Sequence, residues 1–297
     1  MVQIREKLHT IPILGMIVII ILFLIFDNVP TYLLLLIQSE VEYLTFLFLK
    51  FIVRFSTIGI LALIIIPRIL HLPKGNESIK EVSHTIKLDT VHPYKRNLVI
   101  GIGVTILSCL SALIGSLLTF KYTFDPTILF NTPGTHPGNG LGWFRIIEML
   151  YPGIWEEVVF RGLIITLLLK KYPDKNAAII SSLAFGLAHF HNLIGAELTA
   201  YNVLFTCAQV VNAASLGYVL AYIYLKTESL FPGIIFHYLY DVLFLFVGNI
   251  PIAEINFLYG SLLLITFITI VPLVINVKFT NYIFKREKVL KKDNNLI

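Results

Sequence analysis

Six ionisable side chains stand inside long apolar segments of this sequence. They are Glu156, Glu157, Arg161, His189, His237 and Asp241. An ionisable residue at membrane depth costs roughly 2.5–3.5 kcal/mol on insertion scales, so its presence indicates a function. We therefore take these six residues as the candidate site and ask what chemistry their types and spacing would support.

Two pairs of these residues are separated by four positions. Glu157 and Arg161 are i and i+4, so they can form an ion pair along one helix face. The adjacent Glu156 projects about 100° away around the same helix and can therefore face another group. His237 and Asp241 are also i and i+4, so the carboxylate could orient the imidazole or share its proton.

A carboxylate beside two imidazoles is a plausible catalytic set for hydrolysis. Glu156 can act as a general base on water. His189 and His237 can hold an oxyanion, relay protons, or bind a metal ion together with the glutamate. Two histidines with one or two carboxylates suffice for zinc, whereas a glutamate-activated water needs no metal, so zinc and no cofactor both stay open. The reaction that suits these groups best is hydrolysis of a peptide bond reached from within or beside a bilayer.

The composition indicates the solvent in which these residues must be positioned. Of 297 residues, 57% are hydrophobic and only 14% are charged, and the mean hydropathy is +0.82. A typical soluble protein has roughly 25% charged residues, so a soluble fold of this size is excluded. The net charge of +5 is more typical of basic cytoplasmic loops than of nucleic-acid binding. We predict an all-α, polytopic transmembrane helix bundle that forms one membrane domain over residues 1–297.

Hydropathy predicts about eight membrane spans, each of roughly 20 apolar residues. They cover residues 11–26, 43–66, 97–120, 143–169, 177–194, 203–225, 230–247 and 255–277. The first span is short, and we expect the segment Asp27-Asn28-Val29-Pro30 to interrupt it. We interpret this span as a retained anchor. Lys50 and Arg54 fall within the second span, where we expect them to snorkel or to mark its outer edge.

The basic residues predict the orientation of the chain. With eight spans, one side holds the segments 1–10, 67–96, 170–176, 226–229 and 278–297. These segments contain 18 of the 23 lysine and arginine residues. Because cytoplasmic loops carry the excess of positive charge, both termini are predicted to lie in the cytoplasm.

Three short motifs follow one another on successive predicted spans. They read Glu156-Glu157-x-x-x-Arg161, Phe185-x-x-x-His189 and His237-x-x-x-Asp241. In this order they resemble the motifs of the CAAX-protease and bacteriocin-processing family of intramembrane endopeptidases, also called the CPBP or Abi family. The resemblance covers about residues 145–245, roughly a third of the chain, and three ordered motifs are more specific than one.

The resemblance implies a role for each matched residue. Glu156 would activate the attacking water. His189 and His237 would complete the centre by stabilising the oxyanion, or by ligating a metal if one is bound. Arg161 would pair with Glu157 and hold that helix in register.

The third motif departs from the pattern of the prenyl-protein members, in which it usually ends in asparagine. Here it ends in Asp241. An ionised carboxylate cannot donate a hydrogen bond to an oxyanion, so Asp241 would stay protonated, orient His237, or help to bind a cation. The resemblance therefore favours protease chemistry in general over prenylated CAAX substrates in particular.

Together these features predict an intramembrane endopeptidase in a bacterial cytoplasmic membrane. Its partners would be membrane lipid and a peptide or membrane-protein substrate, and not nucleic acid. Two alternatives stay open: a non-catalytic bacteriocin-immunity or regulatory membrane protein on the same fold, and an ion-coupled transporter that uses the same carboxylates and histidines. Alanine at Glu156 or His189 separates them, because only the endopeptidase would lose peptide cleavage.

Overall fold

The structure is a computed structural model that describes residues 11–36, 42–73, 78–119, 142–194, 196–246 and 266–294. Every regular element among these residues is a helix, which confirms the predicted all-α class. The α-helices are α1 Pro12–Leu35, α2 Tyr43–Leu70, α3 Ile79–Thr85, α4 Tyr94–Thr119, α5 Phe144–Glu148, α6 Leu150–Glu156, α7 Thr166–Leu168, α8 Asp174–Ala188, α9 Ala200–Thr227, α10 Phe231–Leu245 and α11 Val271–Asn294. Three segments are π-helical: Leu61–Ile65 lies within α2, Glu157–Ile165 connects α6 to α7, and Thr266–Ile270 precedes α11. A 3-10 helix, His189–Leu193, follows α8.

Five of these helical stretches are long and apolar enough to cross a membrane. They are Pro12–Leu35, Tyr43–Leu70, Tyr94–Gly115, Asn202–Thr227 and Thr266–Val289. The helix α10 is apolar but shorter. Stretches of this length and composition indicate an integral membrane protein. The count of eight spans and the cytoplasmic termini stay predictions, and residues 255–265 of the eighth predicted span lie outside the described residues.

The helix α1 continues to Leu35 without a break, so the predicted interruption of the first span is wrong. The side-chain amide of Asn28 donates to a main-chain carbonyl one turn earlier, at 2.8 Å. Asp27 is buried, and its carboxylate accepts hydrogen bonds from Arg54 and from the hydroxyl of Tyr151. Because these polar side chains have partners within the protein, the helix can run through them.

Arg54 has a partner within the protein that the sequence did not predict, while its position relative to a membrane edge stays a prediction. Arg54 Nε lies 3.1 Å from Asp27 Oδ1, and its guanidinium carbon lies 4.3 Å from the centre of the Tyr151 ring. The two opposite charges on α1 and α2 compensate each other, so neither has to reach water. The set of ionisable residues inside apolar helices is therefore larger than the six that the sequence singled out.

Side-chain caps mark where α2 and α9 begin. The Glu42 carboxylate accepts a hydrogen bond from the main-chain N–H of Thr45 (3.0 Å), which lowers the pKa of that carboxyl. The Thr199 hydroxyl accepts one from the N–H of Asn202 (3.1 Å). Amides in the first turn lack partners within their own helix, so these caps stabilise both helix starts.

The described residues form two compact units. The first comprises those numbered 11–90 and 142–181, and the second comprises those numbered 91–119 and 182–294. The helix α8 begins in the first unit and ends in the second. The single membrane domain over residues 1–297 stays a prediction.

Two glycines allow close helix contacts within the second unit. A Cβ added at Gly186 in α8 would lie 2.6 Å from the carbonyl oxygen of Val210 and 2.8 Å from Cβ of Ala214, both in α9. A Cβ added at Gly101 in α4 would lie 2.9 Å from Cβ of Ile235 in α10. Small residues at such crossings are typical of helix contacts in membranes. The contact at Gly186 fixes the end of α8 that carries the second motif.

Candidate active site

The first unit contains the two carboxylates of the first motif. Arg161 Nη1 lies 2.9 Å from Glu157 Oε1, and both side chains are only 1% exposed. This confirms the ion pair predicted from the i,i+4 spacing. Removing one partner of such a pair would leave the other charge buried and uncompensated. The pair therefore fixes the turn of helix that directly follows Glu156.

Glu156 is the last residue of α6 and is half-buried. Its charge acts electrostatically on two buried residues, Arg161 and Tyr151. The π-helical segment begins at the next residue and is buried throughout. Such π-helical backbone is rare and is found frequently at functional sites. Because π-helical segments also occur at Leu61–Ile65 and Thr266–Ile270, this backbone supports a site here only together with the motif.

His189 is the first residue of the 3-10 helix that follows α8. Its Nδ1 lies 2.9 Å from the main-chain carbonyl oxygen of Phe185. A carbonyl oxygen can only accept, so in this contact Nδ1 donates and carries the proton. In the neutral imidazole, Nε2 then holds the lone pair. The backbone of α8 thus determines which nitrogen of His189 is available for chemistry.

His237 and Asp241 lie one turn apart on α10. His237 Nε2 is 3.6 Å from Asp241 Oδ2, and His237 is buried while Asp241 is half-buried. This confirms that the carboxylate is near the imidazole, as the i,i+4 spacing predicts. At this distance the contact is longer than a direct hydrogen bond.

Phe185 brings the two histidines of the second unit together. The centre of its ring lies 4.9 Å from that of His189 and 6.0 Å from that of His237, with interplanar angles of 83° and 90°. Both are edge-to-face contacts of the kind that aromatic rings favour. His237 and Asp241 also act electrostatically on His189. The structure therefore gathers His189, His237 and Asp241 into one cluster, with Phe185 between the imidazoles.

Replacement of Phe185 by leucine is expected to lower the rate of peptide hydrolysis about tenfold. Each edge-to-face contact contributes roughly 0.5–1.5 kcal/mol, and losing two of them frees both imidazoles to move. The rate is measured with a cleavable peptide, alongside thermal unfolding in detergent. Phe190→Leu is the matched control, since Phe190 is 40% exposed, and we expect it to keep the wild-type rate. An unchanged rate in the Phe185 variant would show that the ring does not position the histidines.

The six predicted residues thus fall into two groups, one in each unit. The first unit holds Glu156, Glu157 and Arg161, and the second holds His189, His237 and Asp241. Among the described residues, no group of three or more His, Cys, Asp or Glu side chains is arranged to hold a metal ion. His189 and His237, the predicted metal ligands, therefore do not by themselves fit a zinc site, which requires at least three protein ligands.

The sequence prediction missed a second polar cluster in the first unit. Asp27, Arg54 and Tyr151 contact one another, and Tyr151 stands five residues before Glu156. The signal that could have revealed this cluster is the opposite charge of Asp27 and Arg54 in two consecutive apolar runs. Tyr151 carries no comparable signal, because tyrosine is common in membrane helices.

Residues 138–243 match the model of a protein family described as type II CAAX prenyl endopeptidase Rce1-like. The matched segment contains all three motifs and all six ionisable residues of the candidate site. The match confirms the resemblance to the CAAX-protease family that the motifs indicate, over about a third of the chain. Comparison with the curated proteins and with the solved structures gives no match.

Proposed function

We propose that this chain is an intramembrane endopeptidase of the CAAX type, which hydrolyses a peptide bond in a membrane-associated or lipidated peptide or protein. The observation that carries the proposal is the family match over residues 138–243, which include every ionisable residue singled out from the sequence. The five apolar helices support an enzyme that meets its substrate within or beside the bilayer.

In the proposed reaction, Glu156 takes a proton from water, and the resulting hydroxide adds to the carbonyl carbon of the scissile bond. The electron pair of the carbonyl double bond moves to its oxygen and forms a tetrahedral oxyanion. His237 stabilises this oxyanion through an N–H group. His189 does so once a proton on Nε2 makes it cationic, because its Nδ1–H is already bonded to the carbonyl of Phe185. When the C–N bond breaks, the leaving nitrogen takes the proton back from Glu156, which restores the carboxylate.

The remaining charged residues have positioning roles in this proposal. The buried ion pair of Glu157 and Arg161 holds the helix that carries Glu156. Asp241 orients His237, which the distance of 3.6 Å between their side chains supports. This role needs no hydrogen bond from Asp241 to the oxyanion, so it is compatible with aspartate in place of the usual asparagine.

The substrate class and location rest on the resemblance and on the charge pattern. The last four residues of a CAAX substrate are a cysteine that carries a prenyl group, two aliphatic residues and one variable residue. We propose a bacterial cytoplasmic membrane with both termini in the cytoplasm, because the basic residues are concentrated in the segments on that side.

The proposal is tested with purified protein in liposomes and an internally quenched peptide that ends in S-farnesylcysteine-Val-Ile-Met. We expect fluorescence to rise and mass spectrometry to detect the released tripeptide Val-Ile-Met. The same peptide without the farnesyl group tests whether the lipid is required. If the wild-type protein cleaves neither peptide, CAAX-type endopeptidase activity is contradicted.

A glutamate-activated water predicts that cleavage persists when metals are removed. The protein is dialysed against a strong chelator, its zinc content is determined by elemental analysis, and the cleavage rate is measured before and after. We expect less than one zinc per ten chains and an unchanged rate. Loss of activity that returns with added zinc would instead assign His189 and His237 as metal ligands.

A further inference from the structure

A cleft of about 300 Å³ lies in the second unit and is lined by residues that follow His189 in the chain. It forms where the 3-10 helix His189–Leu193 contacts the first half of α9. Its walls include the residues Asn192, Leu193, Asn202, Phe205, Thr206 and Gln209. Four of these six side chains can form hydrogen bonds.

The central feature of the cleft is a pair of side-chain amides. Asn192 Nδ2 donates to Gln209 Oε1 at 2.9 Å. An amide side chain has a carbonyl acceptor and an NH2 group, so one shared hydrogen bond leaves the pair with a further carbonyl and a further NH2. This holds whichever way round the two amides are assigned. A main-chain peptide unit, with one N–H and one C=O, is the direct complement of such a pair.

Asn202 makes a different contribution to the same cleft. Its Nδ2 donates to the main-chain carbonyl of Glu197 at 2.8 Å, and its main-chain N–H donates to Thr199. These bonds hold the start of α9 in place. Asn202 therefore shapes the wall, while Asn192 and Gln209 present hydrogen-bonding groups to the space within.

The 3-10 helix aligns this amide pair with His189. Side chains at i and i+3 of a 3-10 helix eclipse, so His189 and Asn192 lie on one face. With a rise of about 2.0 Å per residue, they are separated by roughly 6 Å along the helix axis. An extended peptide rises about 3.3 Å per residue. When an extended peptide lies along this face, the peptide residue next to Asn192 is therefore about two positions away from the peptide residue next to His189.

We propose that the amide pair of Asn192 and Gln209 binds the main chain of an extended peptide substrate, about two residues from the scissile bond. The proposal rests on the proposed endopeptidase function. Recognition of the main chain by hydrogen bonds tolerates different side chains, because every residue presents the same groups. Leu193 and Phe205 provide apolar contacts for the side chain at the bound position.

The first test removes each amide in turn, as Asn192→Leu and as Gln209→Leu, in full-length protein in liposomes. With the farnesylated peptide we expect KM to rise about 2- to 12-fold in each variant, the effect of one lost hydrogen bond, while kcat changes less than twofold. Asn212→Leu is the control, because Asn212 is an amide on the same helix that does not line the cleft. The double variant that exchanges the two amides, Asn192→Gln with Gln209→Asn, is expected to keep KM close to the wild-type value.

The second test changes the peptide and leaves the protein intact. Esters replace the main-chain amides one at a time within three residues of the scissile bond, which removes the N–H at each position. One ester, about two residues from that bond, is expected to raise KM about 2- to 12-fold in the wild type, the effect of one lost hydrogen bond. In the double variant Asn192→Leu with Gln209→Leu, the same ester is expected to have no further effect on KM. If the protein cleaves the peptide but KM is unchanged in both tests, the proposed subsite is overturned and the endopeptidase function is not. Absence of cleavage of this peptide by the wild type contradicts the proposed CAAX-type activity instead.

Discussion

Replacement of Glu156 by glutamine is expected to lower the rate of peptide hydrolysis at least about 100-fold, because a general base contributes roughly 10²–10⁴-fold. Glutamine has nearly the same size as glutamate but cannot take a proton from water at neutral pH. The fold should persist, since Glu156 is half-buried and is not a member of the buried ion pair. The rate is measured with the quenched peptide at saturating concentration.

The neighbouring glutamate provides the sharpest comparison. Glu157→Gln leaves the charge of Arg161 buried without its partner, so we expect a large fall in the thermal midpoint. Glu156→Gln should instead have little activity and keep the wild-type thermal midpoint. Glu197→Gln is the control for removal of one negative charge, because Glu197 is exposed and belongs to none of the three motifs.

Two results would contradict the role of Glu156. Cleavage at more than a tenth of the wild-type rate in Glu156→Gln would exclude a general base at this position. If the thermal midpoint falls equally in the Glu156 and Glu157 variants, both carboxylates stabilise the fold and neither is shown to be catalytic. Comparison of the peptides in cells with the wild-type protein and with Glu156→Ala would then reveal whether any natural substrate accumulates.

The parts of the site that the sequence predicted correctly are local in the chain. Glu157 with Arg161, and His237 with Asp241, are i,i+4 pairs, and a helix brings such residues together whatever surrounds it. Hydropathy likewise located five helices that are long and apolar enough to cross a membrane, because a bilayer requires long apolar segments. Spacing within one helix is therefore enough to predict both pairs.

The features that the sequence did not predict depend on contacts between helices or on local departures from regular geometry. Asp27 and Arg54 are 27 positions apart, and only their contact across α1 and α2 explains why α1 does not break. Phe185 contacts His237 from another helix, α8 against α10. The backbone over Glu157–Ile165 is π-helical and departs from the 3.6-residue period, yet Glu157 and Arg161 still pair across one turn.

Replacement of Asp27 by alanine is expected to lower the free energy of unfolding by about 3 kcal/mol. Breaking a buried ion pair costs roughly 3–5 kcal/mol, because the remaining charge is left uncompensated. We expect the lower end of this range, since the side chain of Arg54 stays 26% exposed while that of Asp27 is 11% exposed. The Tyr151 hydroxyl also loses its acceptor. Unfolding is followed by denaturant titration in detergent micelles.

A more exposed ion pair on α2 serves as the matched control. Lys50 lies one turn before Arg54, and its Nζ is 3.9 Å from Glu148 Oε1, with both side chains 26% exposed. Pairs of this kind contribute about 0–1 kcal/mol, so Lys50→Ala should change the free energy of unfolding by less than 1 kcal/mol. Equal effects of Asp27→Ala and Lys50→Ala would show that burial does not strengthen the Asp27–Arg54 pair.

The double variant Asp27→Leu with Arg54→Met separates the cost of a lone charge from the contribution of the pair. Replacing both members of a buried pair by apolar residues is often neutral or stabilising, so this protein should recover most of the stability lost in Asp27→Ala. Recovery of stability together with a lowered cleavage rate would show that the cluster acts on the reaction through Tyr151, five residues before Glu156. Recovery of both would make the cluster a structural element of α1 and α2. In either case, the charge of Asp27 is retained in an apolar helix because its partners compensate it.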